Sequence, residues 1–461
     1  MSQPELRRTL GLTSAINITV GAVIGSGIFF KALDVSRNLP SEAWIFAAWI
    51  VLGIVCLFGA FAYAELGAMF PEAGGQYAFL REAFGRFPAF LYGWTFLLVI
   101  NSGTMAALAA AFALALSRKA GFALDEVYFS VPLVQGLAFE LGPAKLCACG
   151  MILLLGVVNH FGVDWGALIQ NLSTFAKVGA LATIVGGGVL FALPDGAAAA
   201  PAAAAAANPD FLAGLVAAAV AIFWAYEGWY QLPFNAAELK NPHRDLPRGL
   251  IWGLLLLIGV YLAVNAVYLL VVPIGEMRGL GSEFDVPYTV VSRVFGVDVA
   301  GLLAFLIALS VFGAANPNLL SSPRGFYAMA NDGLLPRRLN TVHPRWRTPT
   351  VAIWSQALWA MLLIVLFPGF KDLTVYVVFA SLLFYALTVA GVYVLRVRAP
   401  ERERPYRCFG YPFTPLLFIG VTLFVDGYTL LDPNERTNAL VGLGILGAGV
   451  VVYAAFLRRP R

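Results

Sequence analysis

Charge is what this sequence has least of. Asp, Glu, Lys and Arg make up 12% of its 461 residues, against about 25% in a soluble globular domain. That shortage excludes a disordered chain and a nucleic-acid-binding surface. Histidine is scarcer still: His160, His243 and His343 stand far apart, with no H-E-x-x-H or similar pair. Cys56, Cys147, Cys149 and Cys408 lie in or beside apolar runs and, beyond an isolated C-x-C, form neither a disulfide framework nor a metal pattern. There is no paired His–carboxylate and no nucleophile elbow, so no catalytic residue, metal or cofactor is expected and a membrane-embedded enzyme is disfavoured. The first apolar run is not a signal peptide, being long, glycine-interrupted and followed by Lys31 and Asp34 rather than a cleavage site.

What fills the chain instead is apolar residue, 60% of the total, with a mean hydropathy of +0.79. With charged residues taken as breaks, the long uncharged runs are 9–30, 43–64, 87–117, 146–163, 178–194, 211–226, 249–275, 299–323, 348–370, 373–395, 408–425 and 437–457. Each is near the length a bilayer core requires, so twelve transmembrane α-helices are expected. The runs are continuous rather than alternating, which excludes a β-barrel. No soluble domain fits between them. The longest connection is about 118–143, and Gly196–Asn208, nearly all alanine, reads as a surface loop.

Basic residues set the orientation. With the N-terminus in the cytoplasm, twenty of the 30 Lys and Arg fall on the cytoplasmic side, among them Arg7, Arg8, Arg81, Arg86, Arg396 and Arg458. Nine fall outside, including Lys31, Arg37, Lys145 and Lys371, and Lys177 alone lies within a span. The bias places both termini inside.

Two helices are interrupted. The first reads I-N-I-T-V-G-A-V-I-G-S-G-I-F-F over Ile16–Phe30, and the sixth reads A-I-F-W-A-Y-E-G-W-Y-Q over Ala221–Gln231. Each opens a five-helix block, 9–194 and 211–395, and matching interruptions in two halves point to an inverted-repeat transporter with 408–457 as two peripheral helices. A broken helix persists in a membrane only where its bare backbone is buried or lines a wet cavity. Half-helix N-termini suit a carboxylate and C-termini an ammonium. The breaks at Gly25-Ser26-Gly27 and Tyr226-Glu227-Gly228 can therefore hold both ends of a zwitterion, which points to an α-amino acid. Gly21-x-x-x-Gly25 fits a close-packed helix interface equally well.

Glu227 and Lys177 are costly in a membrane unless each faces a cavity or a partner. Lys177 follows Gln170, Asn171, Ser173 and Thr174, about 18 Å along its helix from Trp165 at 1.5 Å per residue. It reads as a fixed internal cation bridging helices, with strained snorkelling to the surface as the alternative.

Five motifs in order then carry a resemblance: G-A-V-I-G-S-G-I-F (21–29), Y-A-E-L-G-x-x-x-P-E-A-G-G-Q-Y (63–77), F-A-K-V (175–178), A-Y-E-G-W (225–229) with E-L-K-N-P-H-R-D-L-P (238–247), and S-S-P-R-G-F-Y-A-M-A-N-D-G-L-L-P (321–336). From about Gly11 to Arg407 the chain resembles the amino acid–polyamine–organocation transporters, and within them the L-amino acid transporter group that includes bacterial serine/threonine and alanine exchangers. The resemblance implies a LeuT-like fold of five plus five helices with helices 1 and 6 unwound around the substrate. It implies that the backbone of Gly25, Ser26 and Gly27 holds the carboxylate, and that carbonyls near Ile24, Trp224 and Ala225 hold the ammonium. Lys177 matches the lysine that replaces sodium in sodium-independent exchangers, and Glu227 stands where bacterial members typically carry Asp. Trp224 replaces the family's frequent Phe gate. The loop 118–143 lacks the cysteine that bonds a heavy chain in animal relatives, so no disulfide-linked partner is expected.

The implied function is sodium-independent exchange of small neutral L-amino acids across the inner (plasma) membrane by alternating access. Proton-coupled symport, with Lys177 or Glu227 titrating, is the alternative, and a non-transporting amino acid receptor would share the binding residues. Glu65 and the 71–77 loop read as an anchor at the inner end of helix 2. Asn316, Asn318, Ser321 and Ser322 fit either the permeation path or helix–helix hydrogen bonds, and Asn101 and Ser102 are candidates for touching the substrate side chain.

Overall fold

The computed structural model describes residues 8–71, 74–120, 126–134, 137–161, 163–192, 208–320, 322–346 and 348–457. Arg7, Glu72, Ser321, Arg458 and nearly all of the alanine-rich stretch 196–208 lie outside them.

The chain is an all-α membrane protein. Ten helices among the described residues are long and apolar enough to cross a bilayer: Glu42–Met69, Arg86–Ser117, Pro143–Phe161, Leu172–Phe191, Phe211–Glu238, Pro242–Val271, Val297–Leu319, Phe370–Arg398, Phe413–Leu431 and Arg436–Phe456. A pair bent by 49°, Leu12–Val23 with Gly27–Asn38, makes an eleventh if counted as one span. The uncharged window at 348–370 forms a helix of only 17 residues, Thr350–Leu366, so length and apolarity credit ten or eleven spans rather than twelve. Lys177 does not interrupt its helix, which runs from Val163 to Gly187. The 118–143 connection holds structure that was not expected: an antiparallel hairpin pairing Phe129–Val134 with Leu137–Leu141.

Between lipid-solvated helices no water is expelled, so close backbone approach and buried polar contacts must hold the bundle. Leu12–Val23 lies against Pro242–Val271 because Gly249 and Gly253 leave room there. A Cβ on either would come within 2.7 Å of Ala15 or Thr19. Gly27–Asn38 packs on Phe211–Tyr226, Glu42–Met69 on Pro242–Val271, and Pro143–Phe161 on Thr350–Leu366. Val297–Leu320 lies between Ser102–Ala120 and Val163–Gly187. Leu153, Leu154, Trp252, Leu256, Leu358 and Phe424 are exposed on the outer surface of this bundle, where lipid tails rather than water would meet them.

The face carrying the N-terminus is closed by charge. Arg396 forks the buried Glu65 carboxylate at 3.0 and 2.6 Å, and the Cys408 N–H donates to it at 2.7 Å, the anchor expected at this position. Nearby, the Tyr77 hydroxyl and Arg81 donate to Asp332 at 2.5 and 2.9 Å. Burial, with the Asp332 bond adding to it, pushes the Tyr77 phenol well above its usual range.

Candidate substrate site

Both interruptions are built from backbone that leaves the helical region. Ile24 has ψ 92°, ending Leu12–Val23, and Ser26 opens Gly27–Asn38 without a side-chain cap on its first turn. Glu227 has ψ 138°, and Gly228, at φ +113°, turns the chain into a 3-10 stretch, Trp229–Glu238. Only glycine holds that φ without strain, and a Cβ on Gly228 would also lie 2.7 Å from the Ala22 carbonyl.

The breaks touch. A Cβ on Gly27 would sit 2.8 Å from Ala225 Cβ and closer still to its Cα. The Trp224 indole donates to Ser26 Oγ at 3.1 Å. The buried Tyr261 hydroxyl points at the ends of both incoming helices, 2.8 Å from the Ala225 carbonyl and 3.3 Å from that of Val23. Two helix C-termini and the uncapped N-terminus of Gly27–Asn38 thus meet at one point. Partial negative charge from the carbonyl ends and partial positive charge from the N–H end lie side by side there.

A hollow opens at this junction, lined by Gly25, Ser26, Gly27, Trp224, Glu227 and Gly228 together with Thr104, Leu108, Tyr230, Gln231, Ala314 and Asn318. It offers about 30 Å³ to the centre of a water-sized sphere, room for about two waters, so the site is drawn in around a small volume. Glu227 holds its carboxylate through two hydroxyl donors, Tyr385 at 2.7 Å and Ser381 at 3.2 Å.

Not every residue singled out from the sequence reaches the hollow. Ile24 and Ala225 are buried behind its wall. Tyr226 faces the other way, its hydroxyl 3.4 Å from the Trp49 carbonyl and its ring against Trp49 and Tyr261. Lys177, 3% exposed, donates to the Gly21 carbonyl at 2.7 Å, so its ammonium caps the last turn of the first half-helix. Gly21 has open space where a Cβ would stand, and Gly25 only ordinary contacts. The Gly21–Gly25 pair is therefore not a close-packing seam; Gly27 is the crossing point.

Thr104 with Leu108, and Ala314 with Asn318, reach the hollow as i, i+4 pairs on facing helices. Asn318 is one of the residues expected on the permeation path; only the spacing marks the other three in the sequence. Asn101 and Ser102 do not line it: Asn101 Nδ2 holds the Asn318 carbonyl at 3.1 Å, and Ser102 bonds the Leu97 carbonyl. Gln356 holds the same Asn318 carbonyl at 2.9 Å, while Asn316 accepts from Asn159. Just before Asn101 the backbone makes a π-turn over Phe96–Asn101, a feature frequent at functional sites.

On the face away from the N-terminus, the Phe370 ring stands edge-on to Trp224, with centroids 5.9 Å apart and planes at 81°. Phe370 also lines a larger cavity with Leu114, Lys145 and Phe367, which offers about 190 Å³ to the centre of the same water-sized sphere. Lys31, counted among the basic residues on the outer side, is 1% exposed. Its ammonium lies 4.4 Å over the Phe370 ring and bonds Asp34 and Thr374 at 2.9 and 3.0 Å. Trp224 and Phe370 therefore partition the hollow from the wider cavity.

Residues 10–455 match the family model described as amino acid permease. The chain belongs to the amino acid permease family. The permease is 30% identical to the serine/threonine exchanger SteT of Bacillus subtilis (strain 168), the alignment covering 98% of each chain. It is 31% identical to the mouse b(0,+)-type amino acid transporter 1 over 98% of this chain and 88% of that one. It is 32% identical to the mouse large neutral amino acids transporter small subunit 2 over 97% of this chain and 81% of that one. General amino acid transport across a membrane follows from this membership.

Proposed function

We propose that the permease carries small neutral L-amino acids by sodium-independent exchange, alternating access between two faces of the membrane. In this reading the N–H groups at Gly25–Gly27 receive the substrate carboxylate. The carbonyls ending the two incoming helices receive its ammonium, that of Trp224 on the wall of the hollow and those of Ile24 and Ala225, buried behind it, as the break opens. A carbonyl keeps a second lone pair when Tyr261 already occupies one. Trp224 and Leu108 limit the side chain that fits.

The observation that carries the reading is the Lys177 ammonium on the Gly21 carbonyl, directly behind the first break. A covalently held cation there can occupy the helix end in place of a mobile sodium. The helix pairings support two inverted five-helix repeats, 9–194 and 211–395, with twelve spans, and the distribution of Lys and Arg supports cytoplasmic termini. With the spans numbered in order, the pairs 2–7, 3–8 and 4–9 map onto themselves when the two blocks are exchanged, 1–7 maps onto 6–2, and 3–10 maps onto 8–5. Likewise each half of one broken helix packs against the opposite half of the other. The absence of cysteine from 118–143 supports a carrier without a disulfide-linked heavy chain.

The test is counterflow of labelled alanine, serine and threonine into proteoliposomes, with and without sodium and with and without internal amino acid. Uptake that needs internal amino acid and ignores sodium is the expected result; uptake that requires sodium overturns the proposal. The Glu227 carboxyl on the hollow wall, held only by the Ser381 and Tyr385 hydroxyls among the contacts described, favours proton coupling as the second reading. Accumulation driven by a pH gradient into vesicles empty of amino acid would establish it.

A further inference from the structure

The hairpin Phe129–Leu141 carries an apolar face that the transport site does not use. Val127, Phe129, Val131 and Leu133 are 49, 53, 40 and 55% exposed. Side chains alternate along a strand, so Phe129 and Val131 share one face and Ser130 and Pro132 the other, while Val127 stands just before the strand and Leu133 at its register shift. A contiguous apolar strip of this kind marks a contact surface rather than a water-facing turn.

We propose that this face seats in the headgroup layer of the adjoining leaflet, its partner being a phospholipid surface. Continuity with the lipid-facing side of the bundle argues for lipid. The hairpin leads directly into Pro143–Phe161, which exposes Leu146, Leu153 and Leu154. Its second strand packs on Thr350–Leu366, which exposes Leu358 and Leu362. Lys145 fastens the three together, bonding Glu140 at 2.9 Å and reaching the Val365 carbonyl at 3.4 Å. The apolar belts of two peripheral helices therefore run straight into the exposed strand. Tyr128 at its start has the amphipathic ring favoured at the membrane boundary.

The strand also discourages the other obvious occupant, a second chain adding to its free edge. Pro132 sits within it, and the register shifts between Pro132 and Val134. Proline offers no N–H to a neighbouring strand and is a device that blunts edges.

The test reads spin labels on the full-length permease in phosphatidylethanolamine–phosphatidylglycerol vesicles. Cysteine replaces Phe129, Ser130, Val131 or Leu133 one at a time, after the four native cysteines have been changed to alanine. Labels at 129, 131 and 133 should collide several-fold more with oxygen than with a water-soluble nickel chelate, relative to the label at 130. Equal nickel access at all four positions overturns the proposal and places the hairpin in water. Exclusion of both reagents overturns it too and identifies a protein cover. Because removal of the buried Cys56 and Cys408 can impair folding, benzoylphenylalanine in place of Val131 gives a second reading with the cysteines intact. Photolysis should label phospholipid; cross-linking only to protein refutes the assignment. Neither readout depends on which amino acid is carried.

Discussion

Adding one methyl group at Gly25 separates binding from folding more cleanly than any other change at the site. A Cβ there would stand 3.5 Å from Ala314 Cβ and 3.8 Å from Leu108 Cδ2, ordinary contact distances that require no backbone movement. Both neighbours line the hollow, so the methyl enters the space meant for substrate. Of the room for about two waters it takes about one. Overfilling a packed site costs about 1–3 kcal/mol, which at about 1.4 kcal/mol per tenfold raises the dissociation constant about 5- to 140-fold. Gly27→Ala is the control with the opposite signature. Its Cβ collides with the main chain of Ala225, so the two breaks must separate and stability falls. Both variants are to be purified in detergent, melted, and reconstituted for alanine, serine and threonine uptake. Gly25→Ala should melt like the parent and lose apparent affinity; Gly27→Ala should melt early. A Gly25→Ala permease with parental half-saturation and parental stability would refute the placement of the substrate at this junction.

Lys177→Ala removes the cation from the Gly21 carbonyl and should abolish exchange while leaving the protein in the membrane, as uptake set against surface labelling will show. Trp224→Phe deletes the indole bond to Ser26 Oγ and shrinks the partition with Phe370; leucine and phenylalanine should then compete for alanine uptake better than they do in the parent. Asp332→Asn weakens the ties to Tyr77 and Arg81, and a cysteine placed at Gln231 should become more reactive from the N-terminal face. Glu65→Ala strips Arg396 and the Cys408 N–H of their acceptor. Breaking such a buried pair costs about 3–5 kcal/mol, to be seen as a lower melting temperature with unchanged half-saturation for substrate.

The breaks themselves were readable because glycine, serine and a carboxylate in an otherwise apolar run have few other uses in a membrane. The first break accordingly falls at Ile24–Ser26, just ahead of the helix that Gly27 opens, and the second at Glu227-Gly228. The direction of a side chain was not readable. Tyr226 adjoins Glu227 yet points to Trp49, since one residue is a rotation of about 100° along a helix. Tyr261, which faces both helix ends, lies 36 and 238 residues from its two carbonyls, and no local pattern announces such a contact. Lys31 shows the limit of reading charges as span boundaries. It ends an uncharged run, yet a neighbouring aspartate and an aromatic ring make burial tolerable. The hairpin went unseen because its strands are short and Pro132 argues against a strand.

Equilibrium binding of three small ligands to the purified permease addresses the central claim most directly. L-Alanine carries both charges, propionate only the carboxylate and ethylamine only the ammonium. If the bare N–H groups near Gly25–Gly27 and the carbonyls ending the two incoming helices each hold one charge, alanine binds and the two fragments fail to bind measurably at a hundredfold higher concentration. Propionate or ethylamine binding within tenfold of alanine would contradict a site that grips both ends.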